Sequence, residues 1–115
     1  MHEVSIVSVL LEQVRAEVEK SGHAGRVLRV GLVVGRLSGV HVDALRFAFE
    51  LLAPGTIAEN ASLDLKETKA SVACSVCAAE QETDELVACC PECGSHAVVI
   101  RGGQELLLES IELED

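Results

Sequence analysis

Apolar residues near the start of the chain recur at the three-and-four spacing of one helical face. The positions that share this stripe are Val7, Leu10, Leu11, Val14 and Val18. Polar residues lie largely off the stripe, and Ser21-Gly22 supplies a stop signal. The pattern therefore predicts an amphipathic helix over residues 4–20.

The period of the pattern changes to two over residues 26–37. The alternating apolar residues that form one face are Leu28, Val30, Leu32 and Val34. Arg29 and Gly31 fall on the opposite face. This alternation predicts a strand with one covered face.

A second helical stripe follows the turn at Ser38-Gly39. Its apolar positions are Leu45, Ala48, Phe49 and Leu52. Pro54-Gly55 stops the pattern, because proline cannot continue a helix and glycine readily ends one.

Three further segments have strand character. Residues 62–70 alternate through Leu63 and Leu65 and lead directly to the first cysteine, and residues 97–100 form a short strand that Gly102-Gly103 ends. Residues 104–114 form the last strand, with its apolar side formed by Leu107, Ile111 and Leu113. The alternation is interrupted near Leu106 to Leu108, which is consistent with a bulge.

These elements predict an α+β fold in which two helices pack on a three-stranded sheet. A cysteine-containing segment lies between the strands at 62–70 and 104–114, and those two strands can pair with each other. The segment is therefore an inserted module. The predicted domains are an α+β domain of residues 1–70 plus 104–115 and a cysteine-containing domain of residues 71–103.

Composition adds that the core is aliphatic. Apolar residues make up 49% of the 115 positions, yet the chain has two Phe and no Trp or Tyr. A chain of this length fits one domain, or one domain carrying a small module.

The strongest chemical signal is a double Cys-x-x-C motif. Cys74 and Cys77 form one pair and Cys90 and Cys93 the other, with twelve residues between them. Each pair on a tight turn directs two sulfurs inward, and two facing turns make a closed tetrahedral cage for Zn²⁺. Four thiolates leave no open position, so the predicted site is structural. The inserted module of residues 71–103 is therefore predicted to be a zinc ribbon.

Two other chemistries compete with structural zinc for these cysteines. A rubredoxin-type iron site uses the same Cys-Pro-x-Cys-Gly turn, so spacing alone does not exclude iron. A redox-active pair requires a helix start after a strand, and neither pair has that setting. Cys89 would replace Cys90 in a slightly wider loop, but the two-residue spacer and Pro91 favour Cys90.

Charge argues against a nucleic-acid role. The formal net charge is −10, whereas binding to phosphates needs a basic face, and aromatic stacking platforms are missing as well. Residues 1–25 show no signal peptide, and no apolar segment approaches membrane-spanning length. Free thiol ligands without an export signal predict a cytoplasmic protein.

The start Met1-His2-Glu3 is a second candidate metal site. The terminal amine, the amide nitrogen of residue 2 and the imidazole can form fused chelate rings around one ion. This occupies three corners of a square, the geometry that Ni²⁺ or Cu²⁺ prefers, and the Glu3 carboxylate is one candidate for the fourth corner. Position alone is weak evidence, because a terminal histidine is usually a solvated side chain.

Several motifs in this order resemble the HypA/HybF family of hydrogenase maturation factors. They are the start M-H-E, the turn V-G-R-L-S-G-V, the helix L-R-F-A-F-E, the cysteine ribbon and the closing G-Q-E-L strand. The resemblance implies a nickel metallochaperone that is not an enzyme. It also implies delivery of Ni²⁺ to the large subunit of [NiFe] hydrogenase with a GTPase partner of the HypB family.

The resemblance also assigns the sites, and it makes the α+β domain of residues 1–70 plus 104–115 the nickel-binding domain. It places nickel at His2 with Glu3 and the Met1 amine as neighbours, and zinc at Cys74, Cys77, Cys90 and Cys93. Some family members draw a nickel ligand from a ribbon histidine, for which His96 is the candidate here. Some also serve urease, and both that role and the choice between monomer and dimer stay open.

Two functions from other classes compete with the metallochaperone. A zinc-ribbon scaffold without nickel chemistry would bind zinc tightly and be indifferent to His2, and an electron carrier would be a coloured iron protein. Catalysis has no support, because the sequence has no phosphate-cradling loop and no nucleophile-and-base pair. His23 in a turn and His41 at a helix start are expected to be exposed or capping residues.

Overall fold

The structure, a computed structural model, describes residues 2–114, and for His2 it describes the backbone alone. The elements in this range, in chain order, are α1 (His2–Ser21), β1 (Val27–Gly35), α2 (Val42–Leu52), β2 (Ser62–Thr68), β3 (Ala70–Cys74), β4 (Glu80–Thr83), β5 (Val98–Gly102) and β6 (Leu106–Leu113). The chain divides into two compact units. The first comprises Met1–Val33, Val40–Lys66 and Leu107–Asp115, and the second comprises Val34–Gly39 and Glu67–Leu106.

The core of the first unit contains the predicted helical stripes except for Leu52, which is half-buried. All five apolar positions predicted for α1 are buried, and α1 packs against α2, which buries Leu45, Ala48 and Phe49. Each Val, Leu or Phe side chain among them contributes roughly 1.5–3 kcal/mol when fully removed from water. The predicted stop of α1 is confirmed: Gly22 has a φ of +72° and its N–H donates to the Glu19 carbonyl.

The sheet of the first unit has the order β2-β1-β6, which places β1 in the centre. The ion pairs Arg26–Glu114 (3.9 Å) and Arg29–Glu112 (3.7 Å) progress in opposite chain directions, so β1 and β6 are antiparallel. The prediction of a single covered face on β1 is incomplete, because every residue from Val30 to Gly35 is buried. A central strand has neighbours along both edges, which reduces the exposure of both faces.

The edge strands keep more exposure than β1. On β2, Leu63 and Leu65 are half-buried and alternate with exposed polar residues, as predicted. On β6 the predicted inward position of Leu107 is wrong: Leu107 is exposed, and Leu108 is half-buried instead. The next half-buried residue is Ile111, three positions on, so the alternation is interrupted within this strand.

The second unit contains a sheet of order β4-β3-β5. Both pairings are antiparallel, with Ala70 opposite Thr83 on β4 and opposite Gly102 on β5. The predicted strand over 62–70 is too long, because β2 ends at Thr68 and β3 starts a new sheet at Ala70. The sequence pattern predicted β5 and missed both β3 and β4.

A tight backbone crossing closes the second unit. The N–H groups of Gly35, Arg36 and Leu37 donate to the carbonyls of Glu105, Thr68 and Gly103 respectively. A Cβ on Gly35 would lie 2.2 Å from the carbonyl carbon of Gly103, so this crossing requires glycine. Gly103 itself has a φ of +76° and ends β5 together with Gly102, as predicted.

Within residues 2–114, no helix is both long enough and apolar enough to cross a membrane. The two compact units are defined by how their residues pack, and they do not show which unit binds which metal. The predicted functional domains, residues 1–70 plus 104–115 and residues 71–103, therefore stay a prediction.

Candidate metal centre

The two cysteine turns of the second unit have the same backbone hydrogen bond. In the first turn the N–H of Cys74 donates to the carbonyl of Ala79 at 2.9 Å, and in the second the N–H of Cys90 donates to the carbonyl of Ser95 at 2.7 Å. Both bonds join positions five residues apart. The repeat explains how two unrelated short sequences, C-S-V-C and C-P-E-C, present sulfur in the same way.

In each turn, the sulfur of the first cysteine also accepts a hydrogen bond from a backbone N–H. The N–H of Val76 donates to Sγ of Cys74, and the N–H of Glu92 donates to Sγ of Cys90, each at 3.4 Å. An amide that points at sulfur stabilises the thiolate form, which is the form that binds metal.

The residue after the second cysteine of each turn is left-handed. Gly94 has a φ of +77° and Ala78 a φ of +61°. Glycine adopts this conformation without a steric penalty. In the first turn alanine occupies the equivalent position, although a side chain disfavours that conformation.

The four sulfurs of Cys74, Cys77, Cys90 and Cys93 converge, and all lie within 4.8 Å of one another. Sγ of Cys74 lies 3.7 Å from Sγ of Cys93, and Sγ of Cys77 lies 3.6 Å from Sγ of Cys90. Zinc bound tetrahedrally at about 2.3 Å from each sulfur would separate the sulfurs by roughly 3.8 Å. The donor set and its spacing therefore fit a closed four-sulfur metal site.

Hydrogen bonds divide these thiols into two kinds. The backbone N–H groups of Cys77 and Val76 lower the pKa of Cys74 to about 6, although burial acts in the opposite direction. The N–H of Cys93 likewise lowers the pKa of Cys90, again against burial. Each turn thus provides one thiol that readily becomes a thiolate.

The pKa values of the other two thiols are raised. The N–H of Ala79 acts to lower the pKa of Cys77, but the hydrogen bond to Cys90 and burial outweigh it and raise that pKa to about 12. The N–H of Ser95 acts in the same direction on Cys93, but burial and the hydrogen bond to Cys74 raise its pKa. Each hydrogen-bonded sulfur pair therefore combines one thiol whose pKa is lowered with one whose pKa is raised.

Cys89 and His96 lie outside this group. Cys89 is exposed, whereas its neighbour Cys90 is buried and belongs to the four converging cysteines. Nδ1 of the exposed His96 lies 3.1 Å from the carbonyl oxygen of Ala88. A carbonyl only accepts, so Nδ1 carries the proton in this contact.

The second predicted metal site lies at the limit of the described residues. Met1 falls outside them, and His2 starts α1 with its side chain also outside the description. Glu3 is 9% exposed, the one charged residue among the buried side chains of the described range. In that range the four cysteines are also the only group of three or more potential ligands that converges.

Glu3 has a structural contact that the sequence did not reveal. Its Oε2 accepts a hydrogen bond from the backbone N–H of His41 at 3.2 Å. His41 is the N-cap residue of α2 and makes no side-chain capping bond of its own. A carboxylate from α1 therefore occupies the electropositive start of α2, where it satisfies a free amide and interacts favourably with the helix dipole.

Two exposed side chains make hydrogen bonds to the backbone. Nδ1 of His23, in an exposed turn, accepts the N–H of Gly25 at 2.8 Å. Arg46 on α2 donates to the carbonyl of Leu63 at 3.1 Å. Neither contact suggests a ligand-binding role.

A family model with the description "Hydrogenase/urease nickel incorporation, metallochaperone, hypA" matches residues 1–113. The chain belongs to the HypA family. The hydrogenase maturation factor HypA of Chlorobium limicola is 41% identical over 115 residues, covering 100% of this chain and 98% of its own. That of Aquifex aeolicus is 40% identical over 114 residues, covering 99% and 98%.

Solved HypA structures share the fold. The solution structure of the Ni metallochaperone HypA from Helicobacter pylori is 26% identical, with a TM-score of 0.65 over 96% of each chain. Another HypA solution structure is 28% identical, with a TM-score of 0.69 over 99% of this chain and 97% of its own. The predicted family and the α+β fold with a four-cysteine ribbon are both confirmed, and the chain is a member of a family of nickel metallochaperones.

Proposed function

We propose that this HypA-family chain binds Ni²⁺ at its N-terminus and delivers it to the large subunit of [NiFe] hydrogenase. The observation that carries the proposal is the family match over residues 1–113, which includes the complete Met1-His2-Glu3 start. Nickel is then the cargo, and zinc is a resident structural ion.

The zinc assignment rests on the sulfur geometry. Cys74, Cys77, Cys90 and Cys93 provide soft donors at tetrahedral spacing and would fill every coordination position. A closed site exposes no position to an incoming ligand, so the ion stays in place. Its role is to hold the two cysteine turns together.

The nickel assignment rests on the chemistry of the first three residues. The Met1 amine, the His2 imidazole and the Glu3 carboxylate are a small nitrogen-rich donor set. Glu3 already links α1 to the start of α2, so we propose that it anchors the first turn of α1 and thereby orients the donors beside it. A site with few protein ligands releases its ion readily. Because the donors must lose protons to bind Ni²⁺, mild acid should weaken nickel binding at this site.

The proposed partners follow from a maturation role. They are a GTPase of the HypB type and the hydrogenase large subunit, with the exchange taking place in the cytoplasm. The chain itself is proposed to carry metal without catalysis. A zinc-ribbon scaffold without nickel chemistry is the alternative.

Metal analysis of the purified chain tests the proposal. Wild type, His2→Ala and His23→Ala are loaded with equal Ni²⁺, desalted and counted for nickel and zinc separately. We expect one nickel and one zinc in wild type and in His23→Ala, because His23 belongs to a local turn. His2→Ala should lose nickel and keep zinc.

Retention of one nickel by His2→Ala would reject the N-terminal site. Loss of nickel from both histidine variants would indicate nonspecific binding by exposed imidazoles. Wild-type protein that holds zinc but no nickel would favour the scaffold alternative. A blocked terminal amine should act like His2→Ala, since the amine is one of the proposed donors.

A further inference from the structure

Helix α2 carries an apolar ridge on its exposed face. Phe47 is 66% exposed and Leu51 is 62% exposed, and they are four residues apart. Exposed Ala44 lies three residues before Phe47 on the same face, and Pro54 lies three residues beyond Leu51. The other face of α2 buries Leu45, Ala48 and Phe49, so the ridge is separate from the core.

The ridge contains Phe47, one of the two aromatic residues in the chain. Only two aromatic residues occur in the sequence, and Phe49 is 3% exposed whereas Phe47 is among the more exposed apolar residues. Single exposed apolar residues are ordinary, but an aromatic side chain next to an exposed leucine forms a contiguous patch. Aromatic residues are enriched among those that dominate binding energy at protein interfaces.

Acidic residues border one side of the ridge. On a helix with about 100° between successive residues, Asp43 and Glu50 fall on one side of Phe47, and Leu51 and Ala44 fall on the other. Both carboxylate side chains are exposed, and neither makes an ion pair within residues 2–114. Arg46 lies farther round the same side, and its guanidinium donates to the Leu63 carbonyl. A partner that covers Phe47 therefore meets the two carboxylates before it meets Arg46.

We infer that this ridge docks a partner protein of the nickel-delivery reaction, one that offers an apolar pocket bordered on one side by Lys or Arg. The pocket would take the Phe47 ring and Leu51, and the basic groups would face Asp43 and Glu50. The inference rests on the proposed function for the identity of the reaction, but it does not involve the nickel ligands. Charge complementarity supplies orientation and a fast encounter.

A second copy of the chain fits this ridge poorly. A two-fold pairing would bring the same acidic border from both copies together, and each copy carries a net charge of −10. The exposed parts of Phe47 and Leu51 amount to roughly 200–300 Å², whereas a stable interface buries about 800 Å² per partner. The patch suits the centre of a transient interface with a different protein.

Binding measurements on the full chain test the inference. The probes are the purified HypB-type GTPase and the purified nickel-free hydrogenase large subunit of the same organism, each titrated with wild type, Phe47→Ser and Leu51→Ser. We expect the Kd for at least one probe to rise about tenfold in both variants. Leu86→Ser is the matched control, because Leu86 is 72% exposed and lies in the second unit.

A charge experiment addresses the acidic border. Asp43→Lys/Glu50→Lys should weaken the same complex, mainly by slowing association, and added salt should weaken the wild-type complex. Glu82→Lys/Glu85→Lys makes the same charge change on exposed residues of the second unit, outside the cysteine turns, and should leave the Kd within about twofold.

Nickel and zinc counts on the same preparations separate this inference from the proposed function. Ridge variants that bind both probes like wild type would overturn the docking surface and leave nickel carriage intact. Equal losses in Leu86→Ser would overturn it as nonspecific, as would wild type binding neither probe. Sedimentation showing self-association that depends on Phe47, without an effect on either probe, would identify a second copy as the occupant and also overturn it.

Discussion

Ala78 occupies the left-handed position that glycine occupies in the second cysteine turn. Replacing Ala78 by glycine removes the backbone strain, and the free energy gained should exceed the extra conformational entropy that glycine loses on folding. We expect Ala78→Gly to stabilise the zinc-loaded second unit by about 0.5–1 kcal/mol. Thiol exposure during denaturant titration of the zinc-loaded chain measures this.

The matched change is Gly94→Ala. A Cβ at Gly94 meets no atom within 4 Å, so its effect isolates the backbone conformation at a φ of +77°. It should destabilise the same unit by about 1 kcal/mol. Equal stabilities for the alanine and glycine forms of either turn would contradict the strain argument.

Cys89 and Cys90 provide a second test at the residue scale. Cys90→Ser removes a buried sulfur from the converging group and should abolish stoichiometric zinc binding, whereas Cys89→Ser changes an exposed thiol and should leave one zinc per chain. Zinc analysis after dialysis against a weak chelator distinguishes the two. Zinc retained by Cys90→Ser would mean that Cys89 replaces it.

The sequence was informative where a residue's role depends on its neighbours along the chain. The two-residue spacer and Pro91 favoured Cys90 over Cys89, and the structure brings Cys90 into the sulfur group. The contact of Glu3 was not predictable in this way. Its partner is a backbone N–H 38 positions away, and a backbone donor leaves no mark in the sequence.

At the scale of elements, Glu3 joins two helices. Glu3→Ala should destabilise the first unit by about 1–2 kcal/mol, because it removes a buried carboxylate that caps the start of α2. Glu17→Ala changes an exposed residue of the same helix and should alter stability by less than about 0.5 kcal/mol. Urea unfolding followed by the helical circular-dichroism signal provides the measurement.

Glu3→Gln separates the charge from the shape of this side chain. Glutamine keeps an acceptor oxygen, so it should recover part of the stability lost in the alanine variant. If alanine and glutamine variants both match wild type, the contact with His41 does not stabilise α2.

Long periodic elements were predicted more accurately than short ones. The helix predicted over 4–20 and the strand over 26–37 agree within two residues with α1 and β1 at both ends. The four residues of β4, E-Q-E-T, contain no apolar alternation and become a strand through their pairing with β3. Such a strand depends on tertiary contact, which no local pattern encodes.

At the scale of the whole molecule, the two units should respond differently to zinc removal. The buried side chains of the second unit are few and include Cys74 and Cys90, so loss of the ion removes a central link. Both helices belong to the first unit, which has its own aliphatic core. We expect zinc-depleted protein to keep its helical circular-dichroism signal while backbone amides of the second unit lose protection from hydrogen exchange.

Cys90→Ser supplies the matched genetic version of that experiment and should give the same exchange pattern without a chelator. A helical signal that disappears together with the zinc would contradict the independence of the two cores. Nickel affinity can be followed in the same samples. A change on zinc loss would show that the ribbon influences the N-terminal site, and an unchanged affinity would argue against such coupling.

The backbone pairing of Ala70 with Gly102 has a consequence for how this protein can vary. The segment between Ala70 and Gly102 begins and ends at adjacent positions. The entropic cost of closing it therefore rises only slowly with its length. Residues within this segment can be added or deleted while Ala70 and Gly102 keep their spacing. We therefore expect that a short hairpin grafted between these two positions would leave the helical unit able to fold.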